Sequence, residues 1–296
     1  MSPRDLALAL LVVVVWGVNF VVIKAGVAEV PPLLLGALRF LLAACPAVFF
    51  LRAPSVPWRL YLAYGMTISV GQFAFLFSAI HVGMPSGLAS LVLQSQAFFT
   101  MLFAALWLKE SWRTSQLIGL VMAAGGLTLI GSTHGVSMPL LGFLLTVAAA
   151  SMWAAGNIVT RTVAACGPIN QLAFVVWASL VPPLPFLVLS LWIEGGPTIM
   201  AALSNFSLRS FAAVAYLAWA ATLLGYGLWT RLLSRYPANQ VAPFSLLVPV
   251  VGLVSGWLAF DEALRPVHLA GGALLMLGLA VNLLTPRLLG WARARP

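Results

Sequence analysis

The sequence predicts an all-α integral membrane protein of ten transmembrane helices, arranged as two inverted five-helix repeats. Three observations predict it. Hydrophobic residues make up 62% of the 296-residue chain and charged residues only 7%, where a soluble domain carries about 25% charged. Ten apolar runs are marked off by charges and by Pro, Gly or Ser clusters. Finally, residues 60–130 can be laid over residues 212–282 without a gap, at a constant offset of 152.

The runs cover residues 6–25, 33–51, 60–80, 86–107, 115–131, 140–160, 170–192, 210–232, 239–260 and 267–285. Each can span the hydrocarbon as a helix whose backbone hydrogen bonds are satisfied internally. The first begins behind Arg4 with no polar cleavage region after it, so it is expected to be a retained helix and not a removed signal peptide. The fifth, at 17 residues, is near the lower limit for a span. Loops are a few residues long except between the seventh and eighth runs, so no soluble domain fits between spans. Cys45 and Cys166 have no CxxC spacing and are expected to be small apolar residues.

Lys and Arg fix the expected orientation. With a cytoplasmic N-terminus, the inside holds Arg4, Arg52, Arg59, Lys109, Arg113, Arg161, Arg231, Arg235, Arg287, Arg293 and Arg295. The outside holds Lys24, Arg39, Arg209 and Arg265. Eleven against four places both termini in the cytoplasm. The net charge of +9 comes from basic residues scattered singly or in pairs, with no stripe for nucleic acid.

The overlay matches residues that rarely coincide. At offset 152, Ala63-Tyr64 meets Ala215-Tyr216, Pro85 meets Pro237, Glu110 meets Glu262, Arg113 meets Arg265, and Gly119 meets Gly271. Upstream the offset is 137: Trp16 meets Trp153, Lys24 meets Arg161, Pro31 meets Pro168 and Pro46 meets Pro183. The units are therefore expected to be residues 1–136 and 137–296. Five spans per unit is an odd number, so the second copy is turned over relative to the first. Inverted repeats supply two nearly equal conformations, each open to one side of the membrane, with a site between the halves. A transporter needs that symmetry and an enzyme does not.

With these features in view the chain resembles the drug/metabolite transporter superfamily, in its EamA-type branch of ten-helix carriers. The residues concerned are Trp16-Gly17-Val18-Asn19-Phe20, Leu38-Arg39-Phe40, the short Lys109-Glu110 and Asp261-Glu262 loops, and the Gly-rich fifth and tenth spans. Within the branch it is most similar to bacterial aromatic amino acid exporters. The resemblance implies a basket-shaped bundle in which spans 1–4 and 6–9 enclose a central cavity while spans 5 and 10 pack peripherally. It also implies export from the bacterial inner membrane. The halves depart from one another where Asn19 stands opposite Gly156, with Asn157 one step later, and where Arg39 stands opposite Val176. A symmetric substrate pose is therefore not expected.

Polar side chains in mid-span are costly and face the bundle interior or a water-filled path. The candidate substrate contacts are Asn19, Gln72, Ser90, Gln94, Asn157 and Ser245. Ser90 and Gln94 share a helix face, as do Trp153 and Asn157, and Trp16 and Asn19. An aromatic wall with a few orienting hydrogen bonds suits an amphipathic metabolite, so Trp16, Phe75, Trp153, Trp177 and Tyr226 join the set, the alternative for each being a ring that faces lipid or packs between helices. The competing role for the amides is interhelical hydrogen bonding, worth about 0.6 kcal/mol per contact. Trp58, Trp107, Trp112, Trp192 and Trp291 lie at run ends and suit the interfacial belt. Gly252 and Gly256 form a GxxxG face for close helix approach. Pro46, Pro182, Pro183, Pro243 and Pro249 kink their spans, as hinges or as static bends. Glu110 and Glu262 are expected either to gate through ion pairs with Lys109, Arg113 or Arg265, or to cap tight turns.

No Asp or Glu lies within a span interior, so no embedded proton relay is evident, and facilitated uniport or exchange fits. The sequence has no GxxxxGK[ST] loop, no HExxH and no triad, so neither an enzyme nor a metal or other cofactor is expected. The expected partners are a small-molecule substrate and the lipid bilayer, with no nucleic acid and no obligatory protein. Two rivals are a multidrug or toxic-cation exporter on the same fold, which would want an anionic cavity, and a polytopic lipid-modifying enzyme, which would want an acidic, His or Ser cluster at one face.

Overall fold

The computed structural model describes residues 1–110, 114–134 and 138–293, with side chains except at 238, 239 and 283–293. Trp112, Arg113, Arg295 and the boundary between 136 and 137 lie outside the described residues, as do the side chains of Arg287, Trp291 and Arg293. Nine helices among the described residues are long and apolar enough to cross a membrane. They are Pro3–Glu29 (α1), Pro32–Phe49 (α2), Trp58–His81 (α3), Ser86–Leu108 (α4), Thr114–Gly131 (α5), Leu140–Ala164 (α6), Gln171–Ile193 (α7), Leu208–Arg235 (α8) and Ala242–Phe260 (α9). A further helix, Pro266–Arg293 (α10), follows. A short helix, Gly196–Ser204, occupies the long connection between α7 and α8. Leu10, Leu144, Leu184 and Val254 are exposed on outer faces, as lipid-facing positions should be.

Ends are tied by short polar contacts. Ser2 caps α1 by accepting from Asp5 N, and the Asp5 carboxylate accepts from Tyr236 Oη at 2.8 Å, just past the end of α8. The start of α1 and the end of α8 therefore share one face of the bundle. Glu194 accepts from the Leu33 and Leu34 N–H groups at the opening turn of α2, at 2.7 and 3.2 Å, satisfying donors that a helix start leaves free.

The helices near the centre are interrupted. In α3 the α-helix gives way to π-helical turns over Gly65–Gly71, and in α8 over Tyr216–Leu224. In α4 and α9 it gives way to 3-10 turns, over Leu93–Ser95 and Ala242–Leu247. In α7 the helix breaks between Ala178 and Pro183, where Pro182 and Pro183 supply no N–H. Pro249 instead sits in the first turn of the α-helical part of α9, where the missing N–H leaves nothing unsatisfied.

The Gly-rich helices α5 and α10 pack on each other. A Cβ on Gly119 would lie 2.6 Å from Gly278 O, and one on Gly126 would lie 2.5 Å from Gly271 O. Contacts at 119–278 and 126–271 mean that the two helices cross antiparallel, backbone against backbone, as only glycine permits. Elsewhere α1 packs on α9 and α8, while α6 packs on α4 and α3.

Candidate functional site

A cavity of about 650 Å³ lies between the helices, and no described residue of α5 or α10 lines its wall. Of the residues singled out in the sequence, Trp16, Asn19, Gln72, Ser90, Gln94, Trp153, Asn157, Tyr226 and Ser245 line it. Phe75 and Trp177 do not. Phe75 is 37% exposed on the outer face of α3, and Phe73 holds the wall instead. Gln72, Phe73 and Leu76 share the cavity-facing side of the α-helical stretch Gln72–His81, and Phe75 falls on its other side. Trp177 Nε1 donates to Leu51 O at 2.8 Å, tying α7 to the chain after α2.

The aromatic wall is interlocked. The Trp16 ring meets Tyr226 at 5.6 Å and Trp229 at 5.3 Å between centroids. Trp16 Nε1 donates to Ala221 O at 3.0 Å, a carbonyl within the π-helical part of α8. The polar groups divide between wall-building and cavity-facing. Asn157 Nδ2 donates to Gln96 Oε1 and Thr100 Oγ1, and Gln94 Nε2 donates to Ser245 O, so these two knit helices together. Ser90 Oγ donates to Gly87 O and packs where a Cβ on Gly252 would fall, 2.3 Å away. Asn19 Oδ1 and Gln72 Oε1 are buried with no partner.

Sequence reasoning passed over Arg39 as a wall residue and counted it among the outside charges. It is 3% exposed and lines the cavity. Its guanidinium stands 3.9 Å from the Phe73 ring centroid, and Nη2 donates to Thr222 Oγ1 at 3.2 Å. The signal was available: an Arg as the seventh residue of an apolar run, with Val176 at the matching position.

One end of the cavity is shut. Past Asp261, whose φ of 48° turns the chain back, the Glu262 carboxylate accepts from Lys24 Nζ at 2.8 Å, Ser86 N at 2.7 Å, Ser86 Oγ at 2.9 Å and Gly87 N at 2.8 Å. It thus sits on the positive start of α4 and joins it to α1. Burial pushes its pKa up, but Lys24 and the Ser86 and Gly87 donors outweigh that and hold it below the usual carboxylate value. Gly256 makes room for it, since a Cβ there would meet Glu262 Oε2 at 2.5 Å.

At the face shared by the start of α1 and the end of α8, the wall includes Thr160, Gln171 and Ser234, which lie near helix ends, so the cavity opens there. There Glu110, following Lys109 at φ 55°, pairs with Arg161, both about half exposed. Neither acid pairs with Lys109 or Arg265. Each pairs with the basic residue of the other half: 24 and 161 match at offset 137, 110 and 262 at offset 152. Among the described residues no cluster of three or more His, Cys, Asp or Glu could hold a metal.

The family model described as "EamA-like transporter family" matches residues 5–132 and residues 140–284. The chain belongs to that family. As an EamA-like transporter it is a multi-pass membrane protein. It is 51% identical over 285 residues to a "Probable amino-acid metabolite efflux pump" of Salmonella typhimurium, with 95% of each chain covered. It is 47% identical to a protein of the same description from Escherichia coli, over 99% of this chain and 98% of that one. A solved crystal structure, 20% identical, superposes with a TM-score of 0.63 over 98% of this chain and 99% of its own, which shows a shared fold.

Proposed function

We propose that this EamA-like transporter exports small amino-acid metabolites, with aromatic or other hydrophobic amino acids favoured, by alternating access across the bacterial inner membrane. The single observation that carries this is a membrane-embedded cavity shut at one end and open at the other, walled by Trp16, Trp153, Tyr226 and Trp229 with amides between them. Rings of this kind supply apolar area, and a few polar groups orient the ligand. The relatives described as amino-acid metabolite efflux pumps support the substrate class.

The two halves, residues 1–136 and 137–296, act as inverted copies in this proposal. Support comes from the antiparallel α5–α10 crossing, the reciprocal ion pairs, and the two segments matched by the family model. With Arg39 removed from the loop charges, Lys24, Arg209 and Arg265 remain on the outer side, so both termini and the open mouth are cytoplasmic. Among the described residues no Asp, Glu or His lines the cavity, which favours facilitated export or exchange over proton coupling. The same lack of an anionic group weighs against a multidrug or toxic-cation substrate.

Counterflow in proteoliposomes tests the proposal. Labelled Phe, Trp and Thr are expected to accumulate against their unlabelled counterparts without a pH gradient, and a lipophilic cation is not. Failure of every amino acid to move refutes the substrate class, and a strict need for a proton gradient refutes facilitation.

A further inference from the structure

We propose that Arg39 is a carboxylate subsite in the cavity wall, anchoring the acid group of the transported molecule. This deepens the amino-acid reading above and rests on it for the identity of the ligand's other end. The guanidinium is buried within a membrane-spanning helix, where a charge is retained only with a partner or a function. No Asp or Glu pairs with it among the described residues. Thr222 takes one donor, the Phe73 ring covers one face, and Nε and Nη1 are buried with no acceptor.

Thr222 holds its place because its own hydroxyl donates to Leu217 O at 2.9 Å, five residues back along the π-helical part of α8. Arg39 lines the main cavity and also a side pocket of about 10 Å³ that shares Tyr64, Phe73 and Tyr226 with it. It is the sole formally charged residue of the described cavity wall, so the interior carries an uncompensated positive charge in a low-dielectric setting.

The chemistry that completes such a site is an anion with flat, paired acceptors, which guanidinium binds better than ammonium does. An ammonium group on the same ligand finds no carboxylate among the described wall residues. It finds the unpartnered Asn19 Oδ1 and Gln72 Oε1 instead, acceptors buried in the same wall. Missing acceptors at Arg39 and missing donors at the two amides together complement the head of an α-amino acid. Val176, fully buried at the position matching Arg39, offers no second anchor, so the head binds on one side only.

Binding to the purified full chain is measured with three probes: L-phenylalanine, its carboxamide, and phenylacetate. The wild-type protein is expected to bind the carboxamide at least tenfold more weakly than phenylalanine, as loss of a charge-assisted hydrogen bond requires. Arg39→Gln is expected to erase that preference, and Arg39→Lys to restore part of it. Should Arg39→Gln fail to fold, the wild-type comparison stands alone, and Thr222→Val, which frees the guanidinium from its neutral tether, is expected to change the preference several-fold. Equal binding of acid and amide to the wild type, binding of none of the three probes, or an acid preference surviving in Arg39→Gln overturns the subsite. Arg39-dependent binding of phenylacetate without binding of phenylalanine upholds the subsite and overturns the amino-acid reading.

Discussion

Glu262→Gln keeps the shape of the side chain at the shut end of the cavity and removes its charge. The carboxylate there accepts four hydrogen bonds, from Lys24 Nζ, Ser86 N, Ser86 Oγ and Gly87 N. A carboxamide keeps one accepting oxygen and presents a donor where the other stood. At the least that donor faces Gly87 N–H, so one charge-assisted bond is lost outright and the other three lose the carboxylate's charge, together the equivalent of about two such bonds. At about 1.5 kcal/mol each, the low end for bonds to charged groups because Lys24 is 32% exposed, the shut end loses about 3 kcal/mol. That is roughly a hundredfold in the ratio of shut to open.

The shift can be read by electron–electron double resonance between spin labels at Val82 and Ala263, in a Cys45→Ser, Cys166→Ser background in nanodiscs. The wild type should give one short distance and Glu262→Gln a second, longer one as the main population. Lys24→Met, which removes one of the four bonds, should give a mixture. Unchanged distances in Glu262→Gln would falsify the assignment of this carboxylate as the latch.

Acidification should act in the same direction. Because the pKa of Glu262 is lowered in the shut state, the stabilisation is fully present above the ordinary carboxylate pKa and is lost as pH falls through the lowered one. The longer distance should therefore appear only at pH below the usual carboxylate range, and its growth between pH 8 and 6 would contradict this. Gly126→Val places a side chain against Gly271 O and should cost about 1–3 kcal/mol of stability, seen as a lower thermal midpoint. Substrate affinity should not change, since no described residue of α5 or α10 lines the cavity. Trp153→Ala should weaken phenylalanine binding about tenfold or more, a loss of aromatic contact within the range for truncating a buried anchor. Phe75→Ala, on the outer face, should leave it unchanged, and the reverse pattern would misplace the wall.

Much of the architecture was legible because equivalent residues carry equivalent geometry. Lys109 and Asp261, paired at offset 152, are both left-handed, and each delivers a Glu to an ion pair. The interrupted stretches 65–71 and 216–224 likewise overlap at that offset. What escaped the sequence was anything set by the other half. Glu110 and Glu262 were matched with basic residues close in sequence, yet their partners, Arg161 and Lys24, come from the opposite unit. Trp177 and Phe75 were chosen for their depth within an apolar run, and depth does not say which face of the helix a ring occupies. Arg39 was counted among the outside charges because position along an apolar run does not reveal depth. Once Thr222 and Phe73 are seen around it, its place in the wall is plain.

The central claim is that one cavity is reached from each side of the membrane in turn. Its most direct test is the reactivity of a single cysteine at Ser245, a wall residue, toward a membrane-impermeant thiol reagent added to one side of oriented vesicles. In the resting protein it should react from the side where α1 begins and not from the other. Under counterflow, or with Glu262→Gln, it should react from both. Labelling from one side only under every condition, or from neither, would contradict alternating access through this cavity.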